Sequence, residues 1–133
     1  MRRVVLALFV GLMALPLMVT GSEEKTLVGE YVWTERGVSD ELKAVFVATG
    51  ENTWDVSFNF DFRNKPYIYK GTATGNLTSG KVEGTVLNDT EKRTFTFSGE
   101  FVDGVLKGTH RETTEGRERQ TGTFSLGAPV DAL

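Results

Sequence analysis

The chain has 133 residues, with 15 Lys and Arg, 18 Asp and Glu, a single His and no Cys. This length fits one compact domain. Without Cys the chain has no disulfide framework, thiolate zinc site, iron–sulfur cluster or cysteine nucleophile, and one His excludes a multi-histidine metal site within one chain. We therefore expect neither a metal nor a cofactor.

The first 21 residues have the pattern of a cleavable signal peptide. Arg2 and Arg3 precede an apolar run from Val4 to Val19, and small residues follow it. The alternative is an uncleaved membrane anchor, but the run is shorter than the roughly 20 residues of a spanning helix and contains Gly11 and Pro16. We expect a signal peptide over 1–21 and one domain over 22–133.

Export and acidity limit the partners. The formal net charge is −3, and loss of the two arginines near the N-terminus would make the chain more acidic. Nucleic acids and anionic membranes bind clustered positive charge, so neither is an expected partner. The absence of Cys excludes a lipoprotein anchor and favours a bacterial exported protein, periplasmic or secreted, with no stable membrane span after cleavage.

Apolar and polar residues alternate along the remaining chain. The alternation is strongest in Thr53–Phe62, where Trp54, Phe58 and Phe62 share one face with the other apolar residues. A period of two predicts a strand with one buried face. The same pattern predicts eight strands, near 27–35, 42–48, 53–62, 67–77, 81–87, 92–102, 105–112 and 119–126.

Short turns between these segments predict consecutive antiparallel hairpins. The predicted loops are Asn64-Lys65, Ser79-Gly80, Asp89-Thr90, Asp103-Gly104 and a three-residue loop ending at Gly116. With these loops His110 faces Phe97 on one side and Gln120 on the other.

The glycines of the inward face predict strong curvature. Residues such as Gly71, Gly84 and Gly99 leave room for aromatic rings and allow the strands to bend. An eight-stranded meander with this curvature predicts an all-β, antiparallel up-and-down barrel, closed or nearly closed, with a two-sheet β-sandwich as the alternative. The outer face is polar, unlike the lipid-facing band of an outer-membrane barrel.

The residues show no recognisable catalytic pattern. Acidic residues such as Asp55, Glu83 and Glu100 alternate onto the predicted outer face, where they solubilise the protein. His110 is the sole candidate histidine base, and no Gly-x-Ser-x-Gly elbow, phosphate loop or dinucleotide fingerprint accompanies it. We expect a non-enzymatic protein, with an unrecognised hydrolase as a further alternative.

A set of inward aromatic and polar residues is the candidate ligand site. One interpretation of His110 is structural, with a hydrogen bond to Gln120 at one end of the barrel. The other is a small-ligand pocket, because aromatic walls with a few polar groups are typical of such sites. The candidate ligand-binding residues are Trp33, Trp54, Tyr67, Tyr69, Arg93, His110 and Gln120.

The segment Gly29-Glu30-Tyr31-Val32-Trp33 places a Gly and a Trp in the first strand. In this respect, and in its eight-stranded meander, the chain resembles the calycin group of small β-barrels, the lipocalins and avidins. The spacing differs from the usual Gly-x-Trp of that group, and no ligand-contact residues carry over. The resemblance implies a small apolar ligand.

Two function hypotheses follow. The first is an exported barrel that binds a small, partly apolar molecule at one mouth. The second is an envelope or extracellular interaction module with a solid core, whose outer surface meets another protein or a glycan.

Overall fold

Residues 23–129, described here by a computed structural model, form a closed barrel of eight antiparallel strands. The predicted fold class is confirmed. The predicted signal peptide over 1–21 lies outside the described residues. The strands are β1 Glu24–Trp33, β2 Val38–Gly50, β3 Thr53–Phe62, β4 Lys65–Gly75, β5 Gly80–Asn88, β6 Arg93–Val102, β7 Val105–Thr114 and β8 Arg117–Gly127, with a 3₁₀ turn at Thr34–Arg36.

Pairing between the first and last strands closes the barrel. Val28 of β1 lies opposite Gly127 of β8, and the register continues to Trp33 opposite Gly122. Closure leaves neither terminal strand with a free edge, which removes the aggregation risk of an open sheet. It also excludes the alternative β-sandwich. Within residues 23–129, no helix has the length and apolar character needed to cross a membrane.

The inward faces follow the period-two alternation. Trp54, Val56 and Phe58 of β3 are all buried, while Thr53 and Asp55 between them are exposed. Cross-strand apolar pairs such as Phe101 opposite Leu106 fill the interior. The predicted face is therefore confirmed for the strand with the strongest alternation.

The predicted loop at Asp103-Gly104 is confirmed: both residues have positive φ, and Val102 lies opposite Val105. The loop predicted at Asn64-Lys65 is wrong, because the turn is Arg63-Asn64, with Phe62 opposite Lys65. Shifting a two-residue loop by one position shifts the pairs by two. This leaves the same residues facing inward, so alternation cannot distinguish the two registers.

Two other predicted loops are wrong because side chains stabilise longer connections. Asp89-Thr90 gives way to a four-residue connection in which the Asn88 side-chain oxygen accepts a hydrogen bond from the Glu91 N–H at 2.7 Å. In place of the predicted Ser79-Gly80 loop, residues 76–79 connect β4 and β5, and the Asn76 side-chain oxygen accepts a hydrogen bond from the Thr78 N–H at 2.8 Å. Asn favours such turns because its short side chain reaches nearby backbone donors.

The β7–β8 hairpin corrects the predicted position of Gln120. Its turn is the two-residue Glu115-Gly116, and the register shifts after His110, which lies opposite Gly122. Thr121 is the extra residue of this β-bulge, and it is fully buried at 0% exposure. A bulge changes which residues face inward, so Gln120 is exposed and pairs with Arg111 instead of His110.

The two ends of the barrel differ. At the end that carries the β2–β3, β4–β5 and β6–β7 connections, which we call the plugged end, Leu77 is buried. The Lys25 ammonium donates to the Leu77 carbonyl oxygen at 2.6 Å and lies 5.4 Å from the centre of the Phe101 ring. We call the other end the mouth; it carries the β1–β2, β3–β4, β5–β6 and β7–β8 connections.

Candidate functional site

A small cavity lies inside the barrel, in the half nearer the mouth. Its volume is about 70 Å³, and eight of its lining side chains are aromatic rings of Phe, Tyr or Trp. The complete lining consists of Tyr31, Trp33, Leu42, Phe58, Phe60, Tyr69, Val86, Phe95, Phe97, His110 and Phe124. For scale, an apolar cavity of about 150 Å³ stays dry and binds benzene. The cavity is therefore suited to a small apolar group.

His110 is held in the cavity wall by the bulge of β8. Its Nε2 lies 3.0 Å from the Val32 carbonyl oxygen, which can only accept, so Nε2 carries a hydrogen. Its Nδ1 lies 2.6 Å from the Thr121 hydroxyl oxygen, and that hydroxyl also lies 3.0 Å from the His110 carbonyl oxygen. Burial lowers the pKa of His110 below 6.5, against the opposing effect of the hydrogen bond to Val32. The ring is thus a neutral, fixed donor near neutral pH.

Trp33 packs against other aromatic rings at the mouth. Its ring lies 5.7 Å from that of Phe95 and 5.9 Å from that of Phe62, measured between ring centres. Its indole Nε1 is buried and has no hydrogen-bond partner among residues 23–129. An unpaired buried donor costs about 1–3 kcal/mol, so an acceptor atom supplied by a ligand would relieve this cost.

Arg93 and Glu112 form an ion pair beside Trp33. Two guanidinium nitrogens of Arg93 donate to the two carboxylate oxygens of Glu112, both at 2.8 Å. The hydrogen bonds from Arg93 lower the pKa of Glu112. The Arg93 guanidinium also lies 4.9 Å from the centre of the Trp33 ring, within the range of cation–π attraction.

Tyr69 lines the cavity, and the charges of Arg93 and Glu112 act on its pKa. Its side chain is buried, and its ring centre lies 5.4 Å from that of Phe95. Burial raises its pKa to about 12, and the nearby positive charge of Arg93 opposes the rise. The phenol is therefore a neutral hydroxyl at any physiological pH.

The structure brings together four of the seven predicted residues. Trp33, Tyr69 and His110 line the cavity, and Arg93 contacts Trp33. Tyr67 lies further out, half-buried, with its ring stacked 5.7 Å from that of Phe60.

The other two predicted residues lie elsewhere. Trp54 is near the plugged end, where its indole N–H donates to the Gly75 carbonyl oxygen at 2.9 Å and its ring packs on Phe46. Gln120 is exposed on the outer face. Neither lines the cavity.

Sequence reasoning missed Glu112, which lies beside the cavity, and it missed eight of the eleven residues that line it. Glu112 is 8% exposed and lies opposite Phe95 in the β6–β7 pair. The signal was present in the sequence, because Glu112 is two residues beyond His110 on the same strand and therefore shares its inward face. Among residues 23–129, no group of three or more potential metal ligands occurs.

No protein-family model, curated protein or solved structure matches this chain.

Proposed function

We propose that this protein is a non-enzymatic, exported β-barrel that binds a small, partly apolar molecule at the mouth. The cavity beneath Trp33 is the observation that carries the proposal. Its wall is almost entirely hydrophobic, and both nitrogens of His110 in that wall already have partners, the Val32 carbonyl oxygen and the Thr121 hydroxyl. Small-molecule sites are typically lined by hydrophobic and aromatic side chains.

Export is part of the same proposal. The basic N-terminal residues and the apolar run over 1–21 support removal of a signal peptide and release of the barrel into the periplasm or the medium. The closed eight-stranded barrel supports the proposal, because a barrel of this size can hold one small ligand.

Fluorescence of Trp33 gives a direct test. The chain has two tryptophans, so a Trp54→Phe variant leaves Trp33, in the cavity wall, as the sole indole reporter. We expect small amphiphiles such as hexanol to change its emission saturably. Absence of saturable binding across a series of alcohols, amides and acids would contradict the proposal.

A cavity-filling variant supplies the structural control. Val86→Phe adds a ring at the cavity wall and is expected to abolish binding, with Val86→Leu as a smaller step if the ring prevents folding. Val102 is 57% exposed, and Val102→Phe makes the same chemical change away from the cavity. Native mass spectrometry of protein purified from its own host envelope, before and after organic extraction, would then identify a natural ligand by its mass.

A second candidate function is an interaction module for an envelope protein or a glycan. It is favoured by the small size of the cavity, since typical ligand pockets have about 300–1,000 Å³. It is also favoured by an outer groove of about 480 Å³ where Ile68 and Leu87 are 49% and 42% exposed. Pairing of β4 with β5 ends at Lys70 and Leu87, and beyond it the Asn88 amide donates to the Ile68 carbonyl oxygen at 3.0 Å.

The two candidates respond to different variants. If the groove is the functional surface, an Ile68→Ser and Leu87→Ser double variant should lose partner binding while Val86→Phe retains it. If the cavity is the functional site, Val86→Phe should lose ligand binding while the groove variant retains it.

A further inference from the structure

Arginines are concentrated at the mouth. Arg36 lies in the 3₁₀ turn, Arg63 in the β3–β4 turn, and Arg93 and Arg117 are the first residues of β6 and β8. Two lysines, Lys65 and Lys92, also lie at the mouth, whereas Lys25 and Lys81 lie at the plugged end. Guanidinium groups bind carboxylates with two parallel hydrogen bonds, whereas ammonium groups act as point charges.

Three of these guanidinium groups surround one aromatic cluster. Arg36 lies 5.4 Å from the centre of the Trp33 ring, and Arg93 lies 4.9 Å from the same centre. Arg63 lies 5.2 Å from the centre of the Phe62 ring, which itself contacts Trp33. Two of the three charges thus lie beside Trp33, which also forms the cavity wall, and the third lies beside its neighbour Phe62.

Two of the three are available to a ligand. The third, Arg93, is already engaged, because it donates hydrogen bonds to Glu112. Glu35, next to Arg36 in the chain, forms its ion pair with Arg119 at 2.8 Å instead. Arg36 and Arg63 are exposed and form no ion pair within 4.0 Å among residues 23–129. Arg36 and Arg63 therefore lie beside the aromatic cluster without a carboxylate partner.

We infer that the ligand is a short-chain monocarboxylate, whose apolar part enters the cavity and whose carboxylate binds Arg36 and Arg63 at the mouth. This inference rests on the proposed function. A cavity of about 70 Å³ is about half the size of one that holds benzene, which limits the enclosed part to a few carbon atoms. A chain of about four to six carbons would place its carboxylate outside the cavity, beside the guanidinium groups.

The test compares hexanoate with matched neutral and charged probes, using the Trp54→Phe protein and Trp33 emission. We expect hexanoate to bind about tenfold more tightly than hexanamide, and its affinity to fall in high salt because exposed charges are screened. Hexylamine, with the opposite charge, should bind most weakly. Butyl phosphate tests the other common anion; tighter binding of butyl phosphate than of hexanoate would overturn the carboxylate assignment.

Removal of the two free charges is the decisive variant. Arg36→Gln with Arg63→Gln should reduce the difference between hexanoate and hexanamide to less than about twofold. Lys107→Gln with Arg111→Gln removes the same net charge from the outer face of β7, where Arg111 contacts Glu118 at 3.3 Å, and should retain the preference. Loss of preference in both double variants would point to net charge alone and would overturn the inference.

Failure of the inference is distinguishable from failure of the proposed function. Equal binding of hexanoate, hexanamide and hexanol would overturn the carboxylate assignment and leave the cavity as a ligand site. Absence of binding by all these probes would overturn both.

Discussion

Gly71 lies so close to the neighbouring strand that one added methyl group would push β4 and β5 apart. A Cβ atom at Gly71 would lie 1.8 Å from the Thr85 carbonyl oxygen and 2.8 Å from the Val86 Cα. Both atoms belong to the backbone, so neither can move as a flexible side chain would. Gly71→Ala is therefore a direct test of how tightly the barrel is coiled.

The expected cost follows from the geometry. Overpacking costs about 1–3 kcal/mol, and separating the strands would weaken neighbouring ladder hydrogen bonds worth about 1 kcal/mol each. We expect Gly71→Ala to lower the free energy of unfolding by about 3 kcal/mol. For a domain of this size that corresponds to a fall in Tm of roughly 15 °C.

Urea denaturation followed by fluorescence would measure this difference. Gly127→Ala is the matched control, because its Cβ would lie 3.7 Å from the Gly104 carbonyl oxygen, an ordinary contact. Gly99→Ala should be intermediate, since its nearest neighbour is the Lys107 carbonyl oxygen at 2.7 Å. If Gly71→Ala unfolded at the same urea concentration as Gly127→Ala, the close approach of β4 and β5 would be refuted.

Three further predictions concern titratable groups. Burial lowers the pKa of His110 in the folded state, so the unfolded chain binds more protons in acid. The stabilising contribution of the neutral ring is therefore present above pH 6.5 and is lost as the pH falls through the lowered pKa. His110→Gln should accordingly lose less stability than the parent protein between pH 7.5 and pH 5.5 in urea titrations, and equal losses would contradict this reasoning. Glu112→Gln should lower the free energy of unfolding by about 1–2 kcal/mol, because it removes the charge that pairs with a partly exposed Arg93. The control is Glu118→Gln at an exposed ion pair, which should lower the free energy of unfolding by less than about 0.5 kcal/mol. Equal effects of the two variants would refute the special role of Glu112. With a pKa of about 12, Tyr69 should ionise at higher pH than an ordinary phenol in an ultraviolet titration. Its stabilising contribution should be present below pH 10 and be lost as the pH rises toward 12. Tyr69→Phe should remove this late ionisation step, and persistence of the step in the variant would assign it to another tyrosine.

Much of the fold was predictable from the sequence because alternation is a local property. The run Thr53–Phe62 has the same bounds in the sequence pattern and in the structure, and its apolar face is the buried face. Asp103-Gly104 was also correctly placed, since both of its residues tolerate the positive φ that a tight hairpin turn requires. Eight such segments joined by short turns were enough to predict an antiparallel barrel.

The sequence pattern could not determine register. At the β3–β4, β4–β5 and β5–β6 hairpins the observed pairing differs by two residues from the predicted pairing. A shift of two preserves which side chains point inward, so both registers satisfy the alternation equally well. The choice between them depends on turn geometry and on side chains such as Asn88 that stabilise a longer connection.

The candidate site depended most on tertiary structure. Residues that share an inward face are separated along the barrel axis, so Trp33 and Trp54, both inward, lie near opposite ends. The bulge at Thr121 moved Gln120 to the outer face and fixed His110 against Val32. The amino-acid sequence thus determined the strands and their buried faces, because these depend on local periodicity. Closure of the barrel, its register and the contents of its cavity were decided only when distant strands packed together.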